Sequence, residues 1–159
     1  VIVFVGDHGW QLGEHNLWAK HCNFQTSLKV PLLLKYPGQK QKKKIESVVE
    51  LVDLFPTLCA LSNLKTPGHT QGKSLISTNK EDPKNSVGFS SYHKGTTITT
   101  SDYAYTEWFD SKKNMVIGDM LFDLKGDAHE NYSLAKDSTY KTLISNFKDQ
   151  IDSLRKTNL

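Results

Sequence analysis

The chain opens on an uninterrupted apolar run, Val1-Ile2-Val3-Phe4-Val5, most of it β-branched. A run of that length reads as a strand buried on both faces, which belongs inside a larger sheet. The chain is therefore expected to begin within a longer protein. Gly6-Asp7-His8-Gly9 follows, with Asp7 and His8 at the carboxyl end of the strand, where ligands bind in open α/β sheets. Residues 10–27 are polar and aromatic without a sustained helical period, and predict a shaped loop with a short helix. Val30-Pro31-Leu32-Leu33-Leu34 predicts a second core strand, ended by Tyr36-Pro37-Gly38. Ser47 to Leu51 reads as a short strand. Asp53 reads as the N-cap of a helix over Leu54–Leu61, with Pro56 in the first turn and Leu54, Leu58 and Leu61 on one packed face.

Residues 65–85, rich in Thr, Gly, Lys, Pro and Asn, predict a surface connection between a first unit (1–64) and a second (86–159). In the second, Val87–Tyr92, Thr96–Thr100, Tyr103–Phe109 and Met120–Leu124 alternate with turn residues and predict a small antiparallel meander. A helix from about Ser138 carries Tyr140, Leu143, Ile144, Phe147, Ile151 and Leu154 as one apolar stripe, expected to lie on that meander.

Length and composition change this picture little: 159 residues with 37% hydrophobic and 23% charged positions suit one ordinary globular unit. The formal charge of +3 is mild. Its one cluster, Lys40, Lys42, Lys43 and Lys44 after Pro37-Gly38, reads as a solvated loop tip, so no nucleic-acid partner is expected. No stretch approaches the roughly 18 apolar residues of a membrane span, and no membrane partner is expected. Cys22 and Cys59 lack metal-type spacing and read as small buried hydrophobes. Asn131-Tyr132-Ser133 matches a glycosylation triplet, a pattern that also arises by chance.

The candidate chemistry lies near the start. Asp7 and His8 offer a carboxylate oxygen and an imidazole nitrogen, a donor pair for a divalent cation; the same residues can instead form an Asx-type turn. Lys20 is a compact charge suited to phosphate or sulfate oxygens, or an ordinary surface lysine. Glu14 and His15 can act as acid and base or hold the loop by hydrogen bonds, and Trp10 and Trp18 can wall a pocket or anchor the loop in the core. No nucleophile elbow and no phosphate-cradling loop occurs.

Taken together, Gly6-Asp7-His8-Gly9, Leu12-Gly13-Glu14-His15, Trp18-Ala19-Lys20 and Val30-Pro31-Leu32 resemble the type I sulfatases of the alkaline-phosphatase superfamily, most closely the iduronate-2-sulfatase-like branch. Leu51-Val52-Asp53-Leu54-Phe55-Pro56-Thr57-Leu58, Gly72-Lys73-Ser74-Leu75, and Leu121-Phe122-Asp123-Leu124 through Asp127 and Glu130 continue the match in the family's order. The resemblance implies an α/β fold: the end of an alkaline-phosphatase-like core sheet, followed by a small antiparallel sheet with a packed C-terminal helix.

It also implies roles. Asp7 and His8 match a metal-ligand pair for Ca²⁺, completed by upstream residues. Lys20 matches the lysine that contacts the substrate sulfate, and Trp10 and His21 match positions lining the sugar pocket. The family's nucleophile is a formylglycine made from an upstream Cys or Ser in a "C/S-x-P-x-R" motif, absent from this chain. Thr99 and Ala104 stand where related sequences carry Arg or Lys. The implied activity is hydrolysis of sulfate esters of carbohydrates, in a periplasmic, secreted or lysosomal setting, with the upstream part of the same protein as partner. A phosphatase or phosphodiesterase of the same superfamily, and an inactive structural or interaction module, are the rival readings.

Overall fold

In the computed structural model, residues 1–39, 44–76 and 86–157 are described. Along them run β1 (Ile2–Val5), β2 (Gln11–Leu12), β3 (Trp18–Ala19), α1 (Gln25–Leu28), β4 (Leu32–Lys35), α2 (Leu54–Leu61), β5 (Gly88–Tyr92), β6 (Gly95–Thr99), β7 (Tyr103–Asp110), β8 (Met115–Asp123) and α3 (Lys141–Thr157). Three lysines of the basic cluster, Lys40, Lys42 and Lys43, and much of the 65–85 connection lie outside the described residues. No helix among the described residues is long and apolar enough to cross a membrane.

The two apolar runs pair with each other. β1 and β4 form an antiparallel ladder with Val3 opposite Leu34 and Phe4 opposite Leu33. Within the described residues β1 is not buried on both faces: Ile2 and Phe4 are 64% and 60% exposed. A strand buries both faces only between two layers, and among the described residues β4 is the only strand paired with β1.

The segment read as a strand at Ser47–Leu51 is extended chain leading into a 3-10 turn at Leu51–Asp53. Asp53 does not cap α2 with its side chain; it accepts instead from the Glu50 amide (3.0 Å) and the Lys73 amide (2.8 Å). The packed side of α2 carries Pro56, Thr57 and Cys59, while Leu58 is exposed, so the predicted leucine face is corrected. Thr57 is buried because its hydroxyl receives the Leu75 amide (2.8 Å) and donates to the Asp53 carbonyl (2.6 Å). A buried hydroxyl is tolerated when so satisfied. Gly72 sits so close that a Cβ there would collide with the Val52 carbonyl. The Gly72–Leu75 turn and the α2 motif are thus two halves of one contact.

In the second half the sequence pattern and the structure coincide. β5-β6-β7-β8 is an antiparallel meander in chain order, with β8 starting five residues before the predicted Met120, at Met115. Ile98 faces Tyr105 and Tyr105 faces Leu121 across the strands, a single row. Ile144, Phe147 and Ile151 of α3 close over that row and complete the buried cluster. At the end of α3, Arg155 bonds the buried Glu107 of β7 (2.7 Å) and lies 4.4 Å over the Phe109 ring. The Tyr105 hydroxyl reaches Asp119 (3.1 Å), and burial beside that carboxylate pushes its ionisation far upward. The first half is tied to this sheet by the Glu50 carboxylate, which accepts from the Phe89 amide of β5 (2.7 Å).

Candidate active site

The ladder of β1 and β4 is prolonged by the Gly6 amide, which donates to the Pro31 carbonyl (3.1 Å) and fixes where the strand ends. Asp7 and His8 come next. One Asp7 oxygen accepts from the amide of the next residue, His8 (3.0 Å); the Gly9 amide, which an Asx turn would need, donates to the Ser27 carbonyl instead, so that turn is not formed. The other oxygen, Oδ2, lies 3.3 Å from His8 Nε2.

His8 Nδ1 is 2.8 Å from the Gly9 carbonyl. A carbonyl only accepts, so Nδ1 carries a proton, and when the ring is neutral its lone pair is at Nε2. Lys20 Nζ lies 2.9 Å from that nitrogen. Three groups from two segments therefore converge: a carboxylate oxygen, an imidazole lone pair and an ammonium that forms no ion pair among the described residues.

The intervening loop explains how Lys20 returns to β1. β2 and β3 pair with Gln11 opposite Ala19 and Leu12 opposite Trp18. The reversal passes through Gly13, His15 and Asn16, all with positive φ. Glu14 clamps the turn by accepting from the Leu12 amide (2.6 Å), which holds its carboxyl below the usual range. His15 stacks on Phe24 with ring centroids 3.8 Å apart and bonds the His129 carbonyl (2.9 Å) through Nε2. Both residues hold the loop by these contacts.

Beneath the loop, the Gly9 and Trp10 amides donate to the Ser27 and Thr26 carbonyls of α1 (2.9 and 3.0 Å). The buried Gln11 donates to Cys22 Sγ (3.2 Å), which in turn lies 3.0 Å from Ser27 Oγ. Cys22 and Cys59 are both free and buried, as expected of them. Cys22 adds a polar contact that a hydrophobic reading does not anticipate.

The remaining predicted residues sit around this group. The Trp10 ring is 6.1 Å from the His8 ring and 54% exposed, and Trp18 is 72% exposed, so neither anchors the core. The His21 ring points elsewhere, stacking on Tyr92 at the end of β5 with centroids 5.4 Å apart. Tyr92 carried no sequence signal. Thr99 accepts from the Gln25 side chain (3.1 Å), and Ala104, its cross-strand neighbour, is buried. No group of three or more His, Cys, Asp or Glu able to hold a metal occurs among the described residues. Asp7 and His8 stand as a pair.

Residues 13–157 match the family model described as N-sulphoglucosamine sulphohydrolase, C-terminal. The chain belongs to this sulfatase family. Among curated relatives, a Δ4,5-hexuronate-2-O-sulfatase of Bacteroides thetaiotaomicron is 28% identical, the match covering 96% of this chain and 34% of the relative. An iduronate 2-sulfatase of Mus musculus is 26% identical over 93% of this chain and 40% of its own length. The solved structure of a 2-O GAG sulfatase superposes with a TM-score of 0.75 at 29% identity, covering 96% of this chain and 35% of that one. The sulfatase chain spans about a third of the length of the first two curated relatives it matches. The α/β class and the iduronate-2-sulfatase-like resemblance both hold.

Proposed function

We propose that this chain is the C-terminal part of a calcium-dependent sulfatase that hydrolyses sulfate esters of carbohydrates, with its nucleophile on the upstream part of the protein. The observation that carries the reading is the placement of Asp7 Oδ2 and Lys20 Nζ within 3.3 Å of His8 Nε2. The donor chemistry fits half of a calcium shell: a hard carboxylate oxygen, and an imidazole whose tautomer is set by the Gly9 carbonyl. The names of the relatives support a uronate or glycosaminoglycan sulfate as substrate.

When present, calcium would supply positive charge beside the sulfate oxygens, and a formylglycine made from an upstream Cys or Ser would supply the attacking hydroxyl. Asp7 and His8 would hold the cation. Lys20 binds sulfate oxygen as a point charge and offsets the negative charge that grows in transfer. The neutral His8 ring offers one lone pair at Nε2, so if His8 holds the cation, Lys20 would be free of that nitrogen and available to the sulfate. Trp10 offers an exposed ring face beside His8 for the apolar side of a sugar.

The test uses the full-length protein carrying this chain, assayed on an aryl sulfate and on the matching aryl phosphate. Sulfate hydrolysis is expected, with kcat lowered about 100-fold or more in Lys20→Ala at an unchanged melting temperature. Asp7→Ala is expected to weaken calcium binding sharply by calorimetry. Preference for the phosphate would favour a phosphatase, and no hydrolysis of either ester would favour a non-catalytic module.

A further inference from the structure

Glu130 is 2% exposed, has a positive φ of 56°, and reaches Gln25 and His15, each more than a hundred positions away. Its Oε2 accepts from the Gln25 amide at 2.6 Å. Its Oε1 is buried and without a hydrogen-bond partner. A buried carboxylate held by one amide is costly, and such a group persists where the contact it makes is needed.

That contact has a direct line to the site. Gln25 begins α1, whose Thr26 and Ser27 carbonyls receive the Trp10 and Gly9 amides. The Gly9 carbonyl fixes the His8 ring. From the other side, His15 Nε2 bonds the Glu130 carbonyl itself (3.1 Å), tying the loop between β2 and β3 to the same residue. We propose that Glu130 is a positioning residue, which holds α1 and through it the Gly9–Trp10 turn, so that His8 and Lys20 stay in register. The proposal rests on the reading of Asp7, His8 and Lys20 as an active site.

The groups facing Glu130 are few. Asp127 lies on its own segment and disfavours a second negative charge, while the His15 ring meets that segment at the His129 and Glu130 carbonyls. From α1 it meets the uncharged Gln25.

The experiment compares Glu130→Asp, which withdraws the carboxylate by one methylene, with Glu130→Gln, which keeps an acceptor oxygen at full reach. Amide hydrogen exchange in the full-length protein reads the effect at Gln25, Gly9 and Trp10, with Ile151 of α3 as the internal reference. Glu130→Asp is expected to speed exchange at all three at least tenfold while Ile151 is unchanged, and Glu130→Gln to stay within about threefold of wild type. In the sulfate-ester assay, Glu130→Asp is expected to lower kcat with little change in KM, and Glu130→Gln to restore it. Faster exchange confined to Gln25, or loss of protection that extends to Ile151, overturns the proposal. Exchange as expected in a wild-type protein that hydrolyses no ester leaves the positioning contact standing and removes the active-site reading instead.

Discussion

At the residue scale the most constrained position beside the site is Gly9. Its amide must reach the Ser27 carbonyl, and an added Cβ would collide with the Thr26 carbonyl and press within 3.2 Å of Ser27 Cα. All of these are backbone atoms, which cannot rotate away as a side-chain end can. Gly9→Ala is therefore expected to destabilise the chain by about 1–3 kcal/mol, the cost of forcing atoms into a packed space. Gly68, around which the space is open, is the control: Gly68→Ala is expected to be neutral or slightly stabilising. Urea unfolding of the two variants measures the difference. Equal midpoints would show that α1 can shift away from Gly9, and with it that the turn under His8 is not rigid.

At the element scale α3 is held by two unlike interactions, its apolar stripe and the Arg155–Glu107 pair. The Glu107 side chain is 2% exposed, so removing Arg155 strands a buried carboxylate. Arg155→Ala is expected to cost about 3 kcal/mol, whereas Lys125→Ala, which breaks the exposed pair with Asp102, is expected to cost under about 1 kcal/mol. Thermal unfolding ranks them, and an inverted order would overturn this account.

These two interactions also show what a sequence can reveal about an element. The stripe is legible because helical periodicity is local: Ile144, Phe147 and Ile151 declare their face within two turns. The partner of Arg155 is 48 positions away and leaves no periodic trace. α2 failed for the same reason, since Thr57 is buried by an amide 18 positions distant while the leucines, which look like a face, lie partly open. β1 is a different case. An apolar run reports that a strand is suited to burial, and burial itself depends on layers that β4 alone does not supply. In the site, the position of Asp7 and His8 just past β1 was legible from the apolar run before them, and Lys20 was singled out by linked motifs. The buried Glu130–Gln25 contact was not legible, because it joins two residues 105 positions apart.

At the scale of the whole molecule, Glu130 links the segment bearing Asp7, His8 and Lys20 to the sheet-and-helix half, so its protonation bears on how the halves stay joined. Burial raises its carboxyl from the ordinary 4.5 to about 7, with Asp127 adding to the rise and the Gln25 amide opposing it. Between those values the native state binds more proton than the unfolded chain, so stability falls as pH rises from about 4.5 to about 7 and levels off above. The shift corresponds to roughly 3 kcal/mol. Asp127, Asp110 and Asp137 have carboxyls held below their ordinary range by hydrogen bonds, and their contribution is lost in the opposite direction, as pH falls through their lowered values. Those windows lie below about pH 4 and do not overlap that of Glu130. Glu50, also raised by burial, shares the window, and comparing Glu130→Gln with wild type cancels its contribution: the variant is expected to match wild type near pH 4.5 and to exceed it by about 3 kcal/mol at pH 7.5 in urea unfolding. A difference that does not change with pH would mean that Glu130 is ionised throughout, and that its contact with Gln25 is a charge-assisted bond at every pH. A growing difference would mean that the contact joining the two halves is most secure in mild acid.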